Sequence, residues 1–192
     1  MAKVNDQEIF IAARAVLDAK GFEKARLADV ARKLGISPAA LYKHFSNKED
    51  LFSSIVEVWV EKMDKPALDK AVRMPENERI TFLHDWLLEF MTARRVAFTE
   101  DPQMLVYYEK LLADGSDLLT QRVQKFASAV EHIMAWDTFK QQRGMTIMFA
   151  LTYFYHPFFA DKWDDTLFQT LFESTWLELL PIISQDLEIQ EH

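Results

Sequence analysis

The chain contains no cysteine, which excludes disulfide bonds, thiolate nucleophiles and cysteine-ligated zinc. Only 4 glycines and 6 prolines occur in 192 residues, so tight β-hairpins are not expected. No apolar run approaches the roughly 20 residues that a membrane span needs, and the first residues lack the apolar segment of a signal peptide. We therefore expect a cytoplasmic protein with no membrane partner.

What the sequence does contain is apolar side chains at helical spacing. The composition, 49% hydrophobic and 27% charged, indicates a folded globular chain. Apolar positions recur at intervals of three and four residues, and this periodicity predicts an all-α fold. The predicted helices cover about 6–20, 27–34, 39–44, 47–64, 78–99, 102–113, 116–135, 138–155 and 165–185.

A polar stretch flanked by Pro66 and Pro75 marks the predicted domain boundary. Residues 1–52 would form an N-terminal domain, and the helix 47–64 would connect it to the rest. Residues 65–192 would form a larger helical domain.

The segment from Val30 to Lys48 has the pattern of a helix-turn-helix. Two short helices meet at a turn that contains Gly35, and Ser37 followed by Pro38 is typical of a helix N-cap with proline in the first turn. The S-x-x-E pattern at 46–49 indicates a capping box at the start of the next helix. The second helix of such a motif can enter the major groove of DNA. Two helices packed in an ordinary bundle are the alternative.

Five short tracts carry a family pattern: Gly21-Phe22, L-A-D-V-A at 27–31, L-G-I-S at 34–37, L-Y-K-H-F at 41–45 and K-E-D-L at 48–51. Together they resemble the TetR/AcrR family of bacterial repressors. The resemblance covers about residues 9–52, and the remainder is similar only in its helical pattern and length. It implies a three-helix N-terminal helix-turn-helix domain and a larger helical C-terminal domain that dimerises and binds a small-molecule inducer.

The charge distribution supports DNA as a partner, although the net charge of −8 argues against it. Residues 20–48 contain 7 cations and 2 anions and so carry +5, which leaves −13 for the rest of the chain. The resemblance implies that Tyr42 and Lys48 contact phosphate. The exposed reading face of the motif would consist of Ser37, Ala39, Ala40, Lys43 and His44.

Each of these residues also has a purely structural interpretation: Ser37 caps a helix, Tyr42 packs its ring, Lys43 is solvated and His44 braces the turn. Arg26 and Ala28 depart from the family, which usually has threonine or serine at the first position and a cation or polar residue at the second. We expect Arg26 to take over the phosphate contact of the missing hydroxyl.

The second domain is rich in aromatic side chains, since 12 of the 25 aromatic residues fall between Trp136 and Trp176. We expect an inducer pocket for a mostly apolar or aromatic ligand, with Arg94, Arg95 or His132 as a polar anchor. The candidate lining residues are Trp86, Phe90, Met104, Tyr107, Tyr108, Phe126, Val130, Met134, Met148 and Phe149. An ordinary hydrophobic core is the alternative.

The last helix has a wide apolar stripe, which suggests a homodimer interface. The candidate dimer residues are Phe154, Phe168, Leu171, Phe172, Thr175, Trp176 and Leu179. Because a two-fold dimer presents two recognition helices to two half-sites, a palindromic operator in double-stranded DNA is the expected partner.

The sequence therefore predicts a ligand-responsive DNA-binding transcriptional regulator, a repressor that its inducer releases from the operator. An enzyme is not expected, because no histidine follows a glutamate by three residues and no catalytic motif, cofactor site or metal site is recognised. The pairs His84-Asp85 and Glu131-His132 are adjacent in sequence and are expected to splay apart on helical surfaces. A protein-binding module that keeps the fold without operator binding is the alternative function.

Overall fold

The computed structural model describes residues 5–73, 77–164 and 166–185, and these residues form helices without a single strand. The helices are α1 Asp6–Lys24, α2 Leu27–Leu34, α3 Pro38–Leu41, α4 Lys48–Ala71, α5 Arg79–Glu100, α6 Pro102–Ala113, α7 Leu118–Met134, α8 Gln142–Ala150 and α9 Phe168–Ser184. Short 3₁₀ segments lie at Phe139–Gln141, Thr152–Phe154 and Pro157–Lys162. The all-α prediction is confirmed, and α2 and α6 have the predicted bounds. Two predicted features, Pro75 in the linker and the start of the last helix at 165, lie outside the described residues.

Helix α1 loses its regular geometry at Gly21, as the sequence predicted, but one more turn follows. Gly21 has φ of 71°, a conformation that costs glycine little, and the helix then continues to Lys24. At its other end, Asn5 and Glu8 form a reciprocal capping box.

The predicted capping box places the N-cap of α4 at Ser46, but the helix begins at Lys48, one residue later than that box requires. The Asp50 amide donates to the side chain of Asn47 at 2.7 Å, and the Ser46 amide donates to the Asp50 carboxylate at 2.8 Å. Asn47 is therefore the N-cap, and the predicted box of Ser46 and Glu49 is wrong.

The predicted end of α4 at Asp64 is also wrong, because the helix continues through Pro66 to Ala71. A proline inside a helix costs about 3 kcal/mol through its missing hydrogen bond and its steric clash. Packing compensates here: Ala71 is buried, and the Trp86 indole donates to the Ala67 carbonyl oxygen at 2.7 Å. One continuous helix thus joins the N-terminal segment to the second half of the chain.

Two apolar cores lie along α4, which we call the N-terminal and the C-terminal core. The N-terminal core holds the buried faces of α1 to α4, but also Phe98 of α5 and Met104 of α6. Arg14 of α1 donates to both carboxylate oxygens of Asp101, the N-cap of α6, at 2.6 and 2.8 Å. Helix α6 is thus joined to α1 of the N-terminal segment, and the division of the chain at residue 65 stays a prediction.

The helix predicted at 138–155 is interrupted, so that prediction is wrong. It divides into two 3₁₀ segments with α8 between them, and α8 lies against α7 where Gly144 meets the backbone of Ala127. Glu131 is buried and accepts hydrogen bonds from the Thr138 hydroxyl at 2.6 Å and from the Gly144 amide at 2.9 Å. Because Glu131 fastens the start of α8, the expectation that it lies on the surface beside His132 is wrong.

His84 does not splay away from its neighbour either. Its Nδ1 lies 2.8 Å from a carboxylate oxygen of Asp85, and its Nε2 lies 2.9 Å from that of Glu173, so it joins α5 to α9. Burial alone would lower the pKa of His84, but the two carboxylates outweigh it and raise the pKa. Among the described residues, no helix combines the length and apolar character that crossing a membrane requires.

Candidate nucleic-acid interface

The turn between α2 and α3 forms as the sequence predicted. Gly35 ends α2 with φ of 68°, and the Ile36 amide closes the turn by donating to the Ala31 carbonyl oxygen at 3.0 Å. The Ala40 amide then donates to the Ser37 hydroxyl at 3.2 Å, and Pro38 occupies the first helical position. The structural interpretation of Ser37 as an N-cap is therefore confirmed.

One side of α3 is held in the N-terminal core and the other faces outward. Leu41 is fully buried and Phe45 is 8% exposed, and both belong to the N-terminal core. The exposed side chains are Ser37, Ala39, Tyr42, Lys43 and His44, while Ala40 is half-buried. The structure thus brings the predicted DNA-contacting residues of α3 and its turn to one short stretch of surface.

Tyr42 and His44 are both exposed but differ in their contacts with the rest of the chain. The Tyr42 side chain is 56% exposed, so its ring is available to a partner. The His44 Nδ1 lies 3.7 Å from a carboxylate oxygen of Asp6, and its ring lies beside Phe45 with 6.4 Å between the centroids. His44 therefore has bracing contacts to its own chain while staying exposed.

The Lys48 side chain makes contacts within its own chain. Its ammonium donates to the Phe22 carbonyl oxygen at 3.2 Å and lies 4.6 Å from the centroid of the Phe22 ring. Lys110 of α6 lies over the same ring at 4.7 Å and pairs with Glu23 at 2.7 Å. Lys48 thus ties the start of α4 to the end of α1, and its phosphate contact stays a prediction. Sequence reasoning missed Lys110, since nothing local in the sequence connects α6 to α1.

Arg26 occupies the N-cap position of α2, but its side chain makes no capping hydrogen bond. The side chain is exposed, as is Ala28. The hydroxyl cap that the family usually has is therefore not replaced, and the Arg26 guanidinium faces solvent.

Ion pairing within the basic segment leaves several cations unpaired. The Lys20 ammonium lies 2.7 Å from the Asp29 carboxylate and, with help from Arg32, lowers the pKa of that carboxyl. The segment also has cations without an ion-pair partner among the described residues: Lys24, Arg26, Lys33 and Lys43. Exposed, unpaired cations are the groups that bind phosphate and release counterions.

Most residues predicted to line an inducer pocket form the hydrophobic cores. Nine of the ten are buried, and the rings of Phe90 and Phe126 are stacked with their centroids 3.9 Å apart. Phe149 does not join them, because it is 61% exposed while its neighbour Met148 faces the core. Of the predicted anchors, Arg94 is buried with only 1% exposure, which sequence reasoning did not foresee.

The predicted dimer residues are likewise mostly internal. Five of the seven are buried in the C-terminal core of the chain itself: Phe154, Phe168, Phe172, Trp176 and Leu179. Only Leu171, which is 43% exposed, and the half-buried Thr175 are accessible to a second copy. The reason is that the large rings of α9 pack against His84 of α5 and against Phe154 of the 3₁₀ segment Thr152–Phe154. Other exposed apolar side chains on or beside α9 are Leu167, Leu177 and Ile182.

Comparison with known proteins agrees with this arrangement. Residues 9–55 match the family described as "Bacterial regulatory proteins, tetR family". The matched segment runs from α1 into the first part of α4 and so includes the whole helix-turn-helix. An uncharacterised HTH-type transcriptional regulator of Bacillus subtilis (strain 168), YfiR, is 36% identical over 69 residues. That match spans 34% of this chain and 34% of YfiR, about a third of the relative's length.

Solved structures share the fold over nearly the whole chain. BioQ bound to its double-stranded DNA operator is 20% identical with a TM-score of 0.57, over 92% of this chain and 98% of that one. A TetR-like regulator from Rhodococcus sp. RHA1 is 14% identical with a TM-score of 0.57, over 94% and 98%. The regulator FadR of Bacillus halodurans is 17% identical with a TM-score of 0.55, over 94% and 96%. The predicted fold class, a helix-turn-helix domain followed by a larger helical domain, is confirmed.

Proposed function

We propose that this chain is a TetR-family DNA-binding transcriptional regulator that reads an operator with α3. The observation that carries the proposal is the outward face of α3 and its turn, where Tyr42 and Lys43 are exposed and Lys43 is unpaired, within a segment of charge +5. A tyrosine hydroxyl and a lysine ammonium are donors suited to phosphate oxygens. Ser37 and Ala39 lie on the same face, where they can approach base edges.

The charge distribution favours one orientation on DNA. The segment 20–48 is basic, whereas the other residues together carry −13. Since like charges repel, the acidic remainder disfavours docking by any other surface and keeps non-specific binding weak.

A homodimer fits this function, because two recognition helices match the two halves of a palindromic operator. We propose that the exposed apolar residues of α9, Leu171 among them, face the second copy. The family relationship supports repression in the cytoplasm and release from DNA by a small, mostly apolar or aromatic inducer. Helix α4 is the element through which such a signal passes, because it follows α3 in the chain and packs against α5 and α7.

A selection from genomic DNA tests the proposal. The purified chain is incubated with sheared genomic fragments that include the upstream region of its own gene, and the bound fragments are sequenced. We expect enrichment of a two-fold symmetric site with half-sites about 10 base pairs apart, bound by an even number of chains in native mass spectrometry. Fragments recovered in proportion to their abundance, with no shared sequence, would contradict operator binding.

A further inference from the structure

An ionic cluster is buried where α4, α5, α6 and α7 meet. Asp64 of α4, Arg94 of α5 and Tyr108 of α6 have at most 1% exposure, and Arg122 of α7 has 7%. Charged side chains are rarely buried this deeply unless they are paired. Nothing in the proposed DNA interface accounts for the cluster.

The pairing within the cluster is unequal. Arg94 donates from Nη2 and Nε to one carboxylate oxygen of Asp64, at 2.7 and 3.2 Å. The nitrogen of Arg122 nearest to Asp64 lies 3.8 Å from the second carboxylate oxygen, which has no hydrogen-bond partner. The buried Tyr108 hydroxyl lies near the Arg94 guanidinium but makes no hydrogen bond of regular geometry. Two guanidinium groups therefore share one carboxylate, and the cluster carries a net charge of +1.

An excess positive charge in a protein interior is unfavourable, and arginine cannot remove it by losing its proton. An additional anion would neutralise the charge. Arg122 offers a planar set of donors suited to a carboxylate, and Tyr108 adds a hydroxyl. Burial raises the pKa of Tyr108, so its hydroxyl keeps the proton that it would donate.

A surface cleft borders the packed space beside the cluster, with which it shares one lining residue. It has a volume of about 620 Å³ and lies between α6, the start of α7 and the 3₁₀ segment Pro157–Lys162. Its lining includes Glu109, Leu112, Leu119, His156 and Phe158. Leu119 also borders the packed space beside Arg94 and Arg122, which in this conformation has no room for a water molecule. The cleft and this space meet at the Leu119 side chain, which would have to move for a ligand to pass from one to the other.

We propose that the cleft and the cluster form the binding site of a small amphipathic carboxylic acid, the effector of the regulator proposed above. Its carboxylate is held by Arg122 and Tyr108, and its apolar body lies along Leu119 and Phe158 in the cleft. Glu109 in the cleft lining repels a carboxylate and so favours the orientation with the charged end inward. The regulatory role of the acid rests on the proposed function. The binding site does not, because it is argued from the buried cluster.

The site also supplies a route to the DNA-binding segment. A bound carboxylate competes with Asp64 for the Arg122 guanidinium, and Asp64 belongs to α4, the helix that follows α3 in the chain. Weakening this attachment shifts α4 relative to α5 and α7. Because coupling between two sites is reciprocal, operator DNA is expected to lower the affinity for the acid by the same factor.

The test uses the full chain without DNA, in isothermal titration calorimetry. The probes are octanoate and 4-phenylbutyrate, with 1-octanol and 4-phenylbutanol as uncharged partners of matching shape. We expect the acids to bind at least about 10-fold more tightly than the alcohols, because a charge-assisted hydrogen bond contributes more than about 1.4 kcal/mol. Arg122→Gln is expected to abolish this preference, while Lys125→Gln, on the exposed face of the same helix, keeps it. Equal binding of acids and alcohols, binding of neither, or an unchanged preference in Arg122→Gln would overturn the proposal.

A purely structural role for Arg122 gives a different pattern. If Arg122 only held Asp64, Arg122→Gln would lower the melting temperature and weaken acids and alcohols alike. We expect instead an unchanged or higher melting temperature, because the excess charge is removed. Asp64→Asn, which takes away the competing carboxylate, is expected to bind the acids about 10-fold more tightly than the unmodified chain. Weaker binding of the acids by Asp64→Asn in a folded protein would also count against the proposal.

Separate measurements of acid binding and operator binding distinguish a missing acid site from a missing regulatory function. The titration contains no DNA, so an acid that binds without releasing the operator leaves the site intact and removes its regulatory role. Conversely, an operator bound by a chain that ignores the acids leaves the regulator intact and removes this site.

Discussion

Alanine at both Tyr42 and Lys43 is expected to lower the affinity for the operator about 100-fold, since each side chain contributes about 1.4 kcal/mol through a phosphate contact. Both side chains are exposed next to α3 and neither supports the core, so the variant should keep its helical content and melting temperature. Fluorescence anisotropy with labelled operator DNA measures the change. The decrease should be of similar size on unrelated DNA, because phosphate contacts do not depend on sequence.

A matched control is Lys125→Ala, which removes an exposed lysine from α7, outside the helix-turn-helix. This variant should bind the operator as the unmodified chain does. In the double variant, the slope of log affinity against log salt should become shallower by about 1, because alanine at position 43 no longer neutralises a phosphate. An unchanged affinity in the double variant would mean that Tyr42 and Lys43 do not contact the DNA and would contradict the proposed reading face.

Gly144→Ala is expected to destabilise the fold by about 3 kcal/mol or more, which lowers the melting temperature by about 6 °C or more. A Cβ at this position would lie 2.2 Å from the Ala127 carbonyl oxygen and 2.8 Å from its carbon, and both are backbone atoms that cannot turn aside. Helix α8 would therefore have to move away from α7. Thermal unfolding followed by circular dichroism measures the change.

Helix propensity alone gives the opposite expectation, because alanine in place of glycine inside a helix is favourable by about 1 kcal/mol. Gly35→Ala is the matched comparison: the position has φ of 68° but no atom within 4 Å of an added Cβ. It should cost about 1–2 kcal/mol through backbone strain alone. If Gly144→Ala proved as stable as the unmodified chain, the close approach of α7 and α8 would be refuted.

The helix-turn-helix could be predicted from sequence because its signals are local. Gly35 ends a helix, Ser37 and Pro38 begin one, and the apolar spacing of α2 lies within eight residues. The bounds of α2 in the structure are the predicted ones. The reading face of α3 follows from the same local pattern, since Leu41 and Phe45 must face the core.

The second half of the chain depends on contacts between distant residues, which a sequence pattern does not reveal. Pro66 suggested a linker, yet burial around Ala71 carries α4 past it. The sequence suggested Arg94 as a pocket anchor, and only the approach of α4 to α5 places Asp64 against it. The wide apolar stripe of α9 suggested a dimer interface, but much of its width is covered by the chain's own helices.

The most direct test of the central claim, that a basic helix-turn-helix on an acidic body reads DNA sequence, is an equilibrium titration over about 50 to 200 mM salt. It compares the operator from the genomic selection with a scrambled duplex of the same length and composition. We predict binding of the operator at least about 1,000-fold tighter than the scrambled duplex near physiological salt. We also predict a steep fall in affinity for both duplexes as salt rises. Equal affinity for the two duplexes at every salt concentration would contradict the account.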